Sequence, residues 1–328
     1  MQSRFLLIIL FFSFLLNVQA QQPATSETVL QETLTLKEQM LENSLVKNIP
    51  FKNIGPTIMS GRVVDIEVNP ENSTEFYVAY ATGGIWHTVN NGNTFESVFD
   101  SAPTQNVGDI AVNWTEGIIW AGTGETISSR SSYAGIGILK STDNGKTWEQ
   151  KGLLDAHHIS DIVLDASNPD VVVVGALGHL YSPNEQRGIF KTTDGGDTWE
   201  KKLYIGDETG IICLAEAPDN PDVMYATAWE RERMAWDFRG SGENSGIYKS
   251  TDAGDSWELA TTGNGFPQGE GVGRIGVAVV DENTIYAIHD SQFIREESKE
   301  KNEEKGDESL KPEAFKTMTK AAFLALDE

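Results

Sequence analysis

The stretch KSTDNGKTW, Lys140–Trp148, returns as KTTDGGDTW at Lys191–Trp199 and as KSTDAGDSW at Lys249–Trp257, with a looser copy, HTVNNGNTF, at His87–Phe95. Each copy follows Gly, Ile and a bulky apolar residue: Gly84–Trp86, Gly137–Leu139, Gly188–Phe190 and Gly246–Tyr248. A unit that returns every fifty or so residues is one supersecondary structure used repeatedly, the mark of blades or arrays. Within each copy a short β-rich run turns on Asp-x-Gly and restarts at an aromatic residue. The acid ties off the turn by accepting backbone N–H groups, and the glycine permits positive φ. Asp143, Asp194 and Asp252 are therefore read as structural turn residues, with Asn90 doing part of the same work.

Working outward, a second pattern precedes each copy: Val63–Gly84, Val107–Glu125, Ile159–His179, Thr209–Glu230 and Val272–Asp290. In each, a short alternating strand leads through a polar turn to an apolar strand, which is a hairpin signal. Two hairpins per unit give four strands. Repeated four-stranded units of this length predict an all-β fold, a β-propeller of antiparallel blades, with four full blades and the first hairpin of a fifth at 51–290. Related propellers close with six to ten blades, so the chain is expected to be a fragment of a larger propeller. Pairing of Phe51–Ile54 as an outer strand is the competing expectation.

The Ser/Thr-x-Asp-x-Gly-x-Thr/Ser-Trp element resembles the Asp-box, or BNR repeat, of sialidases, xyloglucanases and the luminal domain of sortilin-type receptors. The run FKNIGPTIMSGRVVDIEV (Phe51–Val68), with Gly122–Glu125 and Ala176–Gly188, is similar to large secreted bacterial propellers described as sortilin N-terminal-like or glycosyl-hydrolase-like. The xyloglucanase resemblance implies a catalytic Asp two residues before a Gly-Gly in the first blade. Here Ala81-Thr82 precede Gly83-Gly84, and the acid is missing. The sialidase resemblance implies a Phe/Tyr-Arg-Ile-Pro motif. The nearest run is Phe51-Lys52-Asn53-Ile54-Gly55-Pro56, without the Arg.

Met1–Ala20 reads as a secretory signal peptide, with Arg4, an apolar run Phe5–Leu16 and Val18-Gln19-Ala20 as cleavage site, which places the protein outside the cytoplasm: secreted, periplasmic or at the cell surface. No later stretch is apolar enough to span a bilayer. Residues 21–50 read as a linker or short helix. In residues 291–328, the run Arg295–Glu313 holds eight acids and five bases and reads as disordered or a solvated helix, followed by the start of a helix at Ala314–Leu326. The single cysteine, Cys213, lies in an apolar strand and reads as a buried thiol. A net charge of −24 argues against nucleic acid, which needs clustered Lys and Arg. The Gly-rich turns do not open helices, so no phosphate loop and no cofactor is expected.

In a propeller the Asp-turns mark one face, and the second-to-third strand loops with the between-blade links mark the other. Those loops are long in three successive blades: Gly122–Gly137, Gly175–Gly188 and Ala228–Gly246. Long loops on a rigid scaffold are where binding sits. They carry Arg130, His179, Tyr181, Arg187, Trp229, Arg231 and Trp236 as candidate ligand-binding residues and Glu125, Glu185, Glu230 and Asp237 as candidate catalytic acids. Rings stack on sugars and Arg forks grip carboxylates. The structural alternative is that Trp229 and Trp236 pack the loops and the arginines pair locally. His157-His158, on the link to the third blade, read as structural and no metal is assigned, because neighbours on an extended segment point opposite ways and no ligand spacing accompanies them. The favoured function is a binding propeller for a peptide, protein or glycan. A glycoside hydrolase acting on a polysaccharide is the alternative, and an assembly factor the third reading.

Overall fold

The computed structural model describes residues 24–49, 61–293, 318, 319 and 323. The leader Met1–Ala20, the Phe51–Ile54 strand, the charged run Arg295–Glu313 and nearly all of Ala314–Leu326 lie outside the described residues. The chain divides into two units, Met1–Gln292 and Phe293–Glu328. In the second, the Phe323 N–H donates to the Thr319 carbonyl at 3.0 Å. The first unit holds every strand described below.

Its first described element is helix α1 (Glu27–Glu42), N-capped by Ser26, whose hydroxyl accepts the Val29 N–H. Four antiparallel meanders follow: β1 (Val63–Val68) to β4 (Glu96–Ser97), β5 (Val107–Asn113) to β8 (Glu149–Gln150), β9 (Ile159–Leu164) to β12 (Glu200–Leu203), and a fourth sheet of β13 (Thr209–Ala217), β14 (Asn220–Glu230), β17 (Gly246–Ser250) and β18 (Glu258–Leu259). A small hairpin, β15 (Glu232–Arg233) with β16 (Phe238–Arg239), interrupts the fourth, and β19 (Val272–Asp281) pairs with β20 (Thr284–Ser291). This is the expected all-β architecture of four four-stranded blades and a fifth hairpin. Cys213, on β13, is half-buried, and burial pushes its thiol up to about 11.

The core lies between blades. Trp120, Ile138 and Ile159 pack with Val172, Val174 and Phe190 between the second and third, and Val173, Ile189, Ile211, Leu214 and Met224 between the third and fourth. The alternation of each strand thus serves two cores, one on each face of its sheet.

Three polar devices join neighbours. The first is innermost: Asp65, Asp109 and Asp161 occupy one repeat position, each beside a bulge in its first strand. Asp109 Oδ2 accepts the Ile162 N–H at 2.7 Å and Asp161 Oδ2 accepts the Leu214 N–H at 2.8 Å, each in the following blade. The second reaches forward at the tips, where Lys140 Nζ donates to Gly195 O and Lys191 Nζ to Ala253 O. The third reaches back: Trp148 Nε1 donates to Val98 O at 2.8 Å and Trp199 Nε1 to Lys151 O at 2.6 Å.

The Asp-turns have the geometry their sequence implies. Asp143 accepts the Thr147 N–H and hydroxyl and the Ser141 hydroxyl, at 2.7 to 2.9 Å. Asp194 and Asp252 repeat this with Thr198 and Ser256, whereas Asn90 accepts the Thr94 N–H and donates its Nδ2 to the Thr94 hydroxyl. These donors, the Thr147 backbone N–H first for Asp143 and the Thr198 and Ser256 hydroxyls first for the others, hold all three carboxyls down at about 2.

Candidate functional site: a cleft on the long-loop face

Three segments converge opposite the Asp-turns. The loop after β6 (Ile118–Thr123) brings Arg130, Ser132, Tyr133 and Ala134; the link before β9 brings His157 and His158; the loop after β10 (Val172–Ala176) brings His179, Leu180, Tyr181 and Ser182. Together with Ala24 they line a cleft of about 580 Å³. Leu180, Tyr181 and Ser182 also border a smaller cleft of about 130 Å³, whose other wall includes Arg231, Arg233 and Met234.

Close backbone contact fixes the first two segments. The His157 carbonyl accepts the Gly135 N–H at 2.7 Å. Gly124, at φ +86°, lies so near that carbonyl that any Cβ there would collide with it. A short 3₁₀ turn, Leu154–Ala156, sets the link between two non-glycine residues of positive φ, Leu153 at 57° and His157 at 58°. The segment is therefore not extended at His157, which corrects the geometric premise of the sequence reading. The His157 ring stacks on His179, centroids 3.7 Å apart. His179 Nε2 meets Asp155 Oδ1 at 3.0 Å and its Nδ1 meets Ser182 Oγ at 2.8 Å. Burial is the first cause of lowering for all three imidazoles: it lowers His179, against the pull of Asp155, takes His157 to about 4, and takes His158 to about 3.

Two candidate binding arginines turn out to build the loops. Arg187 is buried and donates to the carbonyls of Leu177, His179 and Ser182, while burial takes its guanidinium down to about 10. Arg231, also buried, donates to Gly178, His179 and Leu180 carbonyls. Trp229 is buried and donates Nε1 to Gly240 O, whereas Trp236 stands 74% exposed. Arg130, Tyr181 and His179 are the candidates that line the main cleft.

The four candidate acids separate into two kinds. Glu125 is buried, its two oxygens taken by Arg62 Nε and Nη2 in a fork, with Ser132 Oγ donating at 3.0 Å. Glu230 is buried against Arg239 Nη1 at 2.6 Å and the backbone and side-chain amides of Asn244. Glu185 and Asp237 are exposed. Asp155 and His157 escaped the sequence reading as partners of His179, since nothing in the residue pattern announces left-handed backbone at Leu153 and His157.

Among the described residues no helix is long and apolar enough to cross a membrane. No family model matches the chain. The chain is 25% identical over 238 residues to a xyloglucanase of Acetivibrio thermocellus, a match covering 64% of this chain and 26% of that protein. Among solved structures it is similar to an ancestral GH74 enzyme (TM-score 0.49, 21% identity, 66% of this chain and 27% of the other). It is also similar to the GH74 xyloglucanase of Xanthomonas campestris (TM-score 0.45, 17% identity, 65% and 31%). The chain spans about a quarter of the length of the curated relative it matches.

Proposed function

We propose that the chain belongs to a carbohydrate-active propeller and holds a polysaccharide in the long-loop cleft. The observation that carries this reading is the pairing of two accessible tyrosines, Tyr133 (59% exposed) and Tyr181 (41%), contributed by neighbouring loops to one cleft with Arg130, Ser132 and Ser182. Tyrosine rings bury the apolar faces of sugars while hydroxyls and guanidinium bond their edges. The sequence similarity to a xyloglucanase supports the same substrate class. Such a substrate fits an exported protein, and Met1–Ala20 has the pattern of an export leader.

The test is affinity electrophoresis of the purified full chain in gels containing xyloglucan, mixed-linkage β-glucan or no polysaccharide. Retardation by one glucan, weakened at least about tenfold in Tyr133→Ala and Tyr181→Ala, is expected. Equal mobility in every gel would overturn the reading.

Hydrolysis of that polysaccharide is the activity the xyloglucanase similarity favours. It requires two carboxylates across the scissile bond. Glu125 and Glu230 are committed to ion pairs, so Glu185 and Asp237 are the candidates on this face. Release of reducing ends that falls in Glu185→Gln or Asp237→Asn would support hydrolysis. Retardation without release would assign binding alone.

A further inference from the structure

We propose that Asp155, His157 and His179 form a binding site for a divalent transition-metal ion of the zinc, cobalt or nickel type, beside the long-loop cleft. The three side chains offer one carboxylate oxygen and two ring nitrogens, all within 4.8 Å of one another. Two ligands about 2.1 Å from a tetrahedral metal lie about 3.4 Å apart. Asp155 Oδ1 and His179 Nε2 stand at 3.0 Å, so an ion replacing the shared proton has to part them by only about 0.4 Å. The second nitrogen of His179 meets Ser182 Oγ at 2.8 Å, the outer hydrogen bond that fixes the tautomer of a metal-binding imidazole.

His157 completes the set by an arrangement the chain holds against its own backbone preference. Its φ of +58° is uncommon for any residue with a Cβ, and its carbonyl is clamped by Gly135 N–H. The ring is thereby held against His179, stacked at 3.7 Å, and ligating one ion with both nitrogens turns the His157 ring out of that stack, since a metal lies in the plane of each imidazole that binds it. Both imidazoles line the cleft, which leaves the remaining coordination positions for water or a ligand oxygen. Two nitrogens and one oxygen suit borderline ions better than calcium or magnesium, which take oxygen donors. The buried guanidinium of Arg187 is nearby, and the Asp155 carboxylate offsets part of its repulsion.

This inference does not depend on a glycan, and its test uses none. The tag-free full chain is titrated with ZnCl₂ by calorimetry and with CoCl₂ by visible absorption. One equivalent is expected to bind. Binding should weaken at least about a hundredfold in His157→Gln, His179→Gln and Asp155→Asn, about tenfold in Ser182→Ala, and stay unchanged in His87→Gln. A second measurement needs no variant: long-range ¹H–¹⁵N spectra of the wild-type histidines should show zinc shifting His157 and His179 and leaving His87 and His289 in place. Failure to saturate near one equivalent, undiminished binding in folded His157→Gln or His179→Gln, or zinc shifts confined to His87 or His289 would overturn the site.

Discussion

Asp109 on β5 accepts the backbone N–H of Ile162 on β9 at 2.7 Å, so a carboxylate of one blade satisfies the innermost strand of the next. The same link runs from Asp161 to Leu214, and Asp65 lies behind both in the same row. Replacing Asp109 by Ala would leave the Ile162 N–H without its partner between two packed blades. We expect a loss of about 2 kcal/mol in urea unfolding, with Asp109→Asn, which keeps an accepting oxygen, costing less.

The row also sets an alkaline limb of stability. Burial, with like charge from Asp65, raises Asp161 to about 7 and Glu67 to about 7, and burial with Asp161 and Asp65 raises Asp109 well above the usual range. Cys213 and Arg274 are the other ionisable groups around Asp161. Between the unfolded carboxyl value near 4 and the folded value near 7, the native state holds more protons than the unfolded chain, so stability falls as pH rises. The melting temperature should drop from pH 6.5 to pH 8, and Asp161→Asn should flatten that drop. An unchanged slope in that variant would remove Asp161 as the cause.

An acid limb has the opposite origin. His157 at about 4 and His158 at about 3 sit below the unfolded imidazole near 6.5, chiefly through burial. Below pH 6.5 the unfolded chain binds protons that the native state refuses, so stability falls as pH falls. The Asp-turn carboxyls, held at about 2, are ionised in both states above pH 5 and contribute no slope there. These imidazoles therefore offset part of the carboxyl row's slope between about pH 4 and 6.5, and His158→Gln should make melting fall more steeply as pH rises through that window. An unchanged slope in His158→Gln would remove the buried imidazoles as the offsetting cause.

Glu125 is expected to behave as a loop anchor. Truncation to Ala strands the Arg62 fork and the Ser132 hydroxyl. The cost should be about 2 kcal/mol, at the low end for a broken buried pair because Arg62 is 44% exposed. Denaturant midpoints check this. A Glu125→Ala variant as stable as wild type would return this residue to the list of catalytic candidates.

The backward tryptophan clasp gives a further outcome. Trp148→Phe keeps the edge contact with Phe99 but loses the bond to Val98 O, and about 1 kcal/mol should go with it. Gly145→Ala should cost more, since its φ is +83° and a Cβ would meet Val98 Cβ at 2.8 Å. Urea titrations of the two variants rank them directly.

The blades, the Asp-turns and the long loops were legible because their causes are local. Alternation, Asp-x-Gly and a following Trp determine conformation within a few residues, and the repetition averages out accidents. The site was legible only as a region. Arg187 and Arg231 look like ligand grips in sequence, yet Arg187 wraps the carbonyls of its own loop and Arg231 those of the neighbouring loop at Gly178–Leu180, a choice made by tertiary burial. The Asp65, Asp109 and Asp161 row was not singled out in sequence, because its meaning depends on bulges that turn each carboxylate towards the next blade. Asp155, His157 and His179 meet because two residues with side chains adopt left-handed backbone, and no residue pattern marks that.

The clasps running both ways between tips carry a mechanical consequence. Lys140 grips the turn ahead through Gly195 O, while Trp199 grips the strand behind through Lys151 O. Load applied to one blade is passed to both neighbours before its own ladder yields. Pulled along the chain, the protein should release in a few large steps spanning several sheets at once, rather than one small click per sheet.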